Sequence, residues 1–281
     1  MALPPPSPLR SWSATLFFKR RGSSLLAFGL LAVSVSYGHA TPPSPSSASA
    51  PLEARKGEIE ALLDLTDDLN RGRSSHSELV MKVKTARYER EMTIEAWSEG
   101  AERSLLRILS PKRDAGVATL KVGDEAWNYL PKIDRTLKIS ASAMGGAWMG
   151  SHLTNDDLIK GSRMRRDYTW ALMSRPTDSG EGRYQIELTP KPDVPVVWGR
   201  LTLYISADKR PERVEYWNER GRLQRVMSFH DYRELDGRAV PMRMRVTPKN
   251  KEGELTELIY TTLDFNVSLP PRTFSLQSLK R

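Results

Sequence analysis

The chain has no cysteine among its 281 residues. That absence excludes a disulfide framework, a thiol nucleophile, a cysteine zinc site and lipidation on an N-terminal cysteine. Histidine is scarce too, and His76, His152 and His230 have no second histidine or carboxylate at metal-ligand spacing, so neither a metal nor a cofactor is expected. No Gly-rich phosphate loop, dinucleotide fingerprint or G-x-S-x-G elbow is present. Long apolar runs are also missing: the stretch from Leu25 to Val35 is about half of what a membrane-spanning helix requires.

What remains is the composition of a globular chain, 39% apolar and 27% charged. A chain of this size buries roughly 70 to 75% of the surface its unfolded form exposes, so its core needs no covalent staple. The net charge of +9 is not a nucleic-acid signal, because residues 1–40 hold Arg10, Lys19, Arg20 and Arg21 and no acidic residue, leaving +5 for the rest. A basic cluster, a short apolar run and then Gly38, His39 and Ala40 form the pattern of a cleaved secretory signal. The spacing predicts cleavage near Ala40, a mature chain in the periplasm, and no nucleic acid to bind there.

Residues 41–51, TPPSPSSASAP, have the composition of a flexible linker. Residues 52–281 are expected to form one folded domain. Ile59, Leu62, Leu63 and Leu69 recur at helical spacing before Gly72, which predicts a helix from Leu52 to Asn70. Beyond Ser74 the period becomes two. Leu79, Met81 and Val83 alternate with Val80, Lys82 and Lys84, and the alternation returns at Met92 and Ile94, at Leu201, Leu203 and Ile205, and at Met242, Met244 and Val246. Turn signals fall between the runs at Gly123–Asp124, Arg220–Gly221 and Asp236–Gly237. About eleven strands are expected by this rule. The fold class is mainly β with α, a large curved antiparallel sheet covered by helices on its concave side.

A sheet of that size leaves apolar volume that one helix does not fill. The residues assigned to that face are Leu79, Met81, Met92, Ile94, Leu120, Trp127, Tyr129, Met242 and Met244. Methionine suits surfaces that accept variable apolar shapes, although it equally fills irregular cores. Between Trp127 and Leu158 the order W-x-Y-L-P-K-x-x-R, M-G-S and D-D-L resembles the outer-membrane lipoprotein-sorting family with the LolA-like fold, in a branch of periplasmic proteins associated with export systems. The resemblance runs from about Glu58 to the end of the chain. It implies an unclosed β barrel whose apolar cavity takes up a lipid or the acyl chains of a lipoprotein, acting as a monomer with an inner-membrane transporter as a further partner. In that setting Met144, Gly145, Gly146, Trp148, Met149 and Gly150 read as a lid loop, or as a buried loop whose glycines permit tight turns.

Two other functional classes fit the same residues less well. The same fold could serve as a lipid-sensing adaptor of a membrane export system. A lipid hydrolase would use Ser151 beside His152, yet neighbours in an extended strand point to opposite faces. Asp156 and Asp157 read as favouring the N-terminus of a short helix capped by Thr154 or Asn155. Lys160, Arg163, Arg165 and Arg166 make a basic run, which is either a solvated face or a surface for anionic headgroups. The sequence thus points to a carrier and not to an enzyme.

Overall fold

The computed structural model describes residues 46–160, 163–177 and 179–280. The export signal and the cleavage position near Ala40 lie outside the described residues. Helix α1 spans Ser46–Asp67, so it begins earlier than expected and residues 46–51 are helical where a linker was predicted. Composition misled there because Ala48 and Ala50 are strong helix formers. Ile59, Leu62 and Leu63 turn the same face inward and are buried, as their i, i+3, i+4 spacing requires. Among the described residues no helix is long and apolar enough to cross a membrane.

The rest of the chain builds a first meander of β1 (Ser74–Lys84), β2 (Glu89–Glu99), β3 (Arg103–Ser110), β4 (Ala118–Val122), β5 (Glu125–Leu130) and β6 (Arg135–Lys138). After the short helices α2 (Asn155–Lys160) and α3 (Met164–Asp167) comes a second meander. It consists of β7 (Tyr168–Ser174), β8 (Arg183–Pro190), β9 (Arg200–Ser206), β10 (Pro211–Trp217), β11 (Leu223–Leu235), β12 (Arg238–Pro248) and β13 (Leu255–Phe265). All thirteen strands form one sheet in the order β6-β5-β4-β3-β2-β1-β13-β12-β11-β10-β9-β8-β7. The two meanders join where β1 pairs antiparallel with β13. The sheet is unclosed, with β6 and β7 at its two margins.

Strand β6 occupies a stretch that reads as a basic turn, because an edge strand with exposed Arg135 and Leu137 shows no period of two. The three expected turns do connect β4 to β5, β10 to β11 and β11 to β12. Asp236 and Gly237 take φ values of 50° and 71°, the left-handed pair that a tight hairpin needs.

One face of the sheet looks inward. In the second meander it packs Ile186, Leu203 and Val214 on Ile59 and Leu63 of α1. In the first meander the inner face carries Leu79, Met81, Met92, Ile94 and Ile108 beneath Trp148. The outer face of β3 to β5 is covered as well. Two short 3-10 turns, Pro271–Phe274 and Ser278–Lys280, lay Phe274 and Leu279 over Leu105, Leu120 and Tyr129. Arg107 fastens this tail by donating to the Ser278 carbonyl at 2.5 Å.

Candidate functional site

A cavity of about 210 Å³ lies between the inner face of the sheet, the end of α1 and the segment around Trp148 to Met164. Its apolar walls include Leu79, Ile94, Leu106, Phe229, Met244 and Leu258. Trp148, Leu153 and Leu158 close it from the loop side. This exceeds the ~150 Å³ that admits benzene into an apolar core. A second, more open hollow, about 370 Å³, lies beside Asp64, Asp68, Asp208, Arg210 and Arg238, with Leu65 and Leu69 among its lining residues.

The closing segment is held by a dense set of polar contacts. The Trp148 indole N–H donates to Thr119 Oγ1 at 3.1 Å, and the Trp148 amide donates to the Leu153 carbonyl at 2.7 Å. Tyr88 and Arg90, from the β1–β2 hairpin side, donate to the carbonyls of Gly150 and Met149 at 2.6 and 3.2 Å. Ser151 Oγ donates to the Trp148 carbonyl at 2.7 Å and accepts the Leu153 amide at 3.1 Å. His152 bonds Thr256 Oγ1 through Nδ1 and Glu254 through Nε2, both at 2.9 Å. The hydrogen bond from His152 and the Ala86 amide hold the Glu254 carboxyl below its ordinary range.

Helix α2 starts at a capping box, in which the Asp157 amide donates to Thr154 Oγ1 and the Thr154 amide donates to Asp157 Oδ2. Asp157 also receives two bonds from Arg225, at 2.7 and 2.5 Å. The Arg225 guanidinium lies over the rings of Trp198 and Tyr216, 4.4 and 4.1 Å from their centroids. Burial works against the Asp157 charge, but Arg225 and Thr154 outweigh it and keep the carboxyl below its usual range. Asp157 therefore does more than complement a helix dipole: it fastens α2 across the cavity to β11.

The end of the cavity nearest α1 is polar. Asp67 accepts the Met164 amide at 2.8 Å through Oδ2, while its Oδ1 has no partner. Burial pushes its carboxyl up to about 7. Arg71, four residues on, is lowered by burial, and its Nη1 has no hydrogen-bond partner.

A family model described as "Uncharacterized protein" matches residues 100–281. The chain belongs to that family. No curated protein matches it. Among solved structures, a DUF1329 family protein from Desulfovibrio piger shares 23% identity at a TM-score of 0.70, over 79% of this chain and 98% of that one. A protein described as an outer membrane lipoprotein-sorting domain from Vibrio parahaemolyticus shares 24% at 0.66, over 81% and 100%. A LolA superfamily protein from Nitrosomonas europaea shares 22% at 0.65, over 78% and 98%. At these identities the likeness establishes the fold, which is the LolA-like open barrel.

Within this LolA-like fold the expected site residues separate into three groups. Leu79, Ile94 and Met244 line the cavity. Met81 and Met92 are on the same inner face but fully buried under Trp148, and Met242 is buried without lining the hollow. Leu120, Trp127 and Tyr129 belong to the outer face, against Phe274 and Leu279. The alternation was right and the face was wrong, because both faces of β4 and β5 are covered and aromatic content does not say which is the inner one.

In the loop, Trp148 lines the cavity and Met149 packs against the same cluster. Met144 instead packs with Ala126, Ile139 and Ile159. Gly145 has open space around it, and Gly146 donates its amide to the Ala143 carbonyl at 3.0 Å. Of the basic run, Arg163 is buried against Asp124, while Arg165 and Arg166 are half-exposed and meet Asp64 and Asp124 at 2.6 and 3.4 Å. Ser75 and Ser77 share the parity of Leu79, so the period of two could have placed them in the cavity wall. Arg71 and Asp67 carried no such signal, since charged residues at a helix end ordinarily read as solvated.

Proposed function

We propose that the protein is a periplasmic carrier, exported on residues 1–40, that shields a lipid or the acyl chains of a lipoprotein and passes them between envelope components. The cavity beneath Trp148 carries this reading, since its walls are largely hydrocarbon and lie in the interior of an open barrel. At about 0.8 kcal/mol per buried methylene, a long acyl chain gains on the order of 10 kcal/mol before ordering costs. That gain requires no chemistry. The lipoprotein-sorting description of the Vibrio parahaemolyticus neighbour supports the same class. In this reading the working form is a monomer, and an inner-membrane transporter supplies or receives the cargo.

The role is binding and transfer rather than hydrolysis. Ser151 Oγ and the His152 ring bond other partners and not each other. Lipid extraction and mass spectrometry on protein purified from a periplasm test the proposal. Co-purifying lipid or acylated peptide is the expected result. A lipid-free extract from protein that also fails to bind a fluorescent fatty acid would overturn it.

A further inference from the structure

The cavity wall changes character in register. Ser75 pairs with Ser98, and Ser98 with Ser104. Two residues along, the row is Ser77, Ala96 and Leu106; two further, it is Leu79, Ile94 and Ile108. At roughly 6.8 Å for two residues of strand, hydroxyl gives way to hydrocarbon over about 14 Å. The hydroxyl end is where α1 stops and where Arg71 lines the cavity.

Three cations influence one another in this region, and the two that are buried are already engaged. Lys121 donates to the Ala101 carbonyl, and Arg163 is paired with Asp124. Among the described residues Arg71 has no ion pair, and its Nη1 is buried without an acceptor. Tyr260 lines the same cavity and presents a neutral hydroxyl, while Asp67 and Asp68 are the carboxyls that act on the Arg71 charge. The nearby Asp67 carboxyl is pushed up to about 7 by burial, so it only partly offsets the Arg71 charge at neutral pH. A guanidinium with one nitrogen enclosed and unpaired is costly to keep. An oxyanion removes that cost, and guanidinium geometry matches carboxylate and phosphate.

We propose that Arg71, together with the Tyr260 hydroxyl, receives the anionic head, carboxylate or phosphate, of an amphiphile whose chain lies along Leu79, Ile94 and Leu258. The assignment rests on the carrier reading above. The cavity is thus an oriented site, with the head at the end of α1 and the hydrocarbon beneath Trp148.

Calorimetry on the full protein with dodecanoate, dodecyl phosphate, dodecanol and inorganic phosphate separates the alternatives. Both anionic amphiphiles should bind at least about ten-fold more tightly than dodecanol, and inorganic phosphate far more weakly than either. In Arg71→Met the preference should collapse while dodecanol affinity stays. Arg71→Lys should keep part of it, and Tyr260→Phe should reduce it if the methionine variant does not fold. Equal, tight binding of dodecanol and the anionic amphiphiles by wild type would leave the carrier reading standing and overturn the head-group assignment. Inorganic phosphate binding as tightly as dodecyl phosphate would overturn it in favour of a small-anion site. Binding of none of the amphiphiles would sink both readings.

Discussion

Tyr88 donates a 2.6 Å hydrogen bond to the carbonyl of Gly150, and a Cβ at Gly150 would lie 2.8 Å from that same phenolic oxygen. Gly150 also has φ of +71°, a conformation that costs an L-residue roughly 1–2 kcal/mol. Gly150→Ala should therefore break the tether and speed ligand exchange in a stopped-flow displacement assay. Gly145→Ala, at a position with open space around it and no positive φ, should leave exchange within about two-fold of wild type. Equal exchange rates in the two variants would mean that the Tyr88 contact does not hold the loop.

Arg225→Ala strands the Asp157 carboxylate in the interior. Urea unfolding should show a loss of about 3–5 kcal/mol. The double replacement Asp157→Leu with Arg225→Met should recover much of that loss, because no charge is then left unpaired.

Met244 faces the cavity, whereas Met173 on β7 is exposed. Met244→Glu should abolish binding of a fluorescent fatty acid while circular dichroism stays native, and Met173→Glu should bind as wild type does. Retained binding in a folded Met244→Glu variant would exclude this cavity as the site.

Asp67 gives a pH dependence of definite sign. Its folded-state pKa of about 7 exceeds the ordinary 3.8, so the native state holds the proton more tightly than the unfolded chain. Stability from this group is present at low pH and falls as pH rises through the window between those values. Asp67→Asn keeps an acceptor for the Met164 amide and removes the slope. Its Tm should exceed that of wild type near about pH 8 and match it near about pH 4.

Ser151→Ala removes a hydroxyl that bridges the Trp148 carbonyl and the Leu153 amide. It should cost about 1 kcal/mol of stability and leave lipid transfer intact. Phospholipid turnover by wild type that disappears in this variant would restore the hydrolase reading.

The meander was legible because each strand obeys local rules: Leu79, Met81 and Val83 alternate, and Asp236–Gly237 has the chemistry its turn demands. The helix face was legible for the same reason, Ile59, Leu62 and Leu63 lying on one stripe. Which face of β4 and β5 looks inward was not, since that depends on where Phe274 and Leu279 fold back from more than a hundred residues away. Nor was the Asp157–Arg225 pair, whose members are 68 residues apart. Arg71 was invisible as a site residue because the enclosure of its Nη1 without an acceptor is set by tertiary packing, and a charged residue in a sequence reads as solvated.

The margins of the sheet add a mechanical constraint. Strands β6 and β7 are consecutive in the chain yet stand at opposite ends of the strand order, so the connection between them is tied at both ends like the string of a bow. Trp148, Leu153 and Asp157, which touch the cavity, are all carried on that string. A ligand beneath Trp148 would therefore be enclosed by a segment whose two ends are both fixed in the sheet, so the strand order itself limits how far that segment can stand off from the cavity.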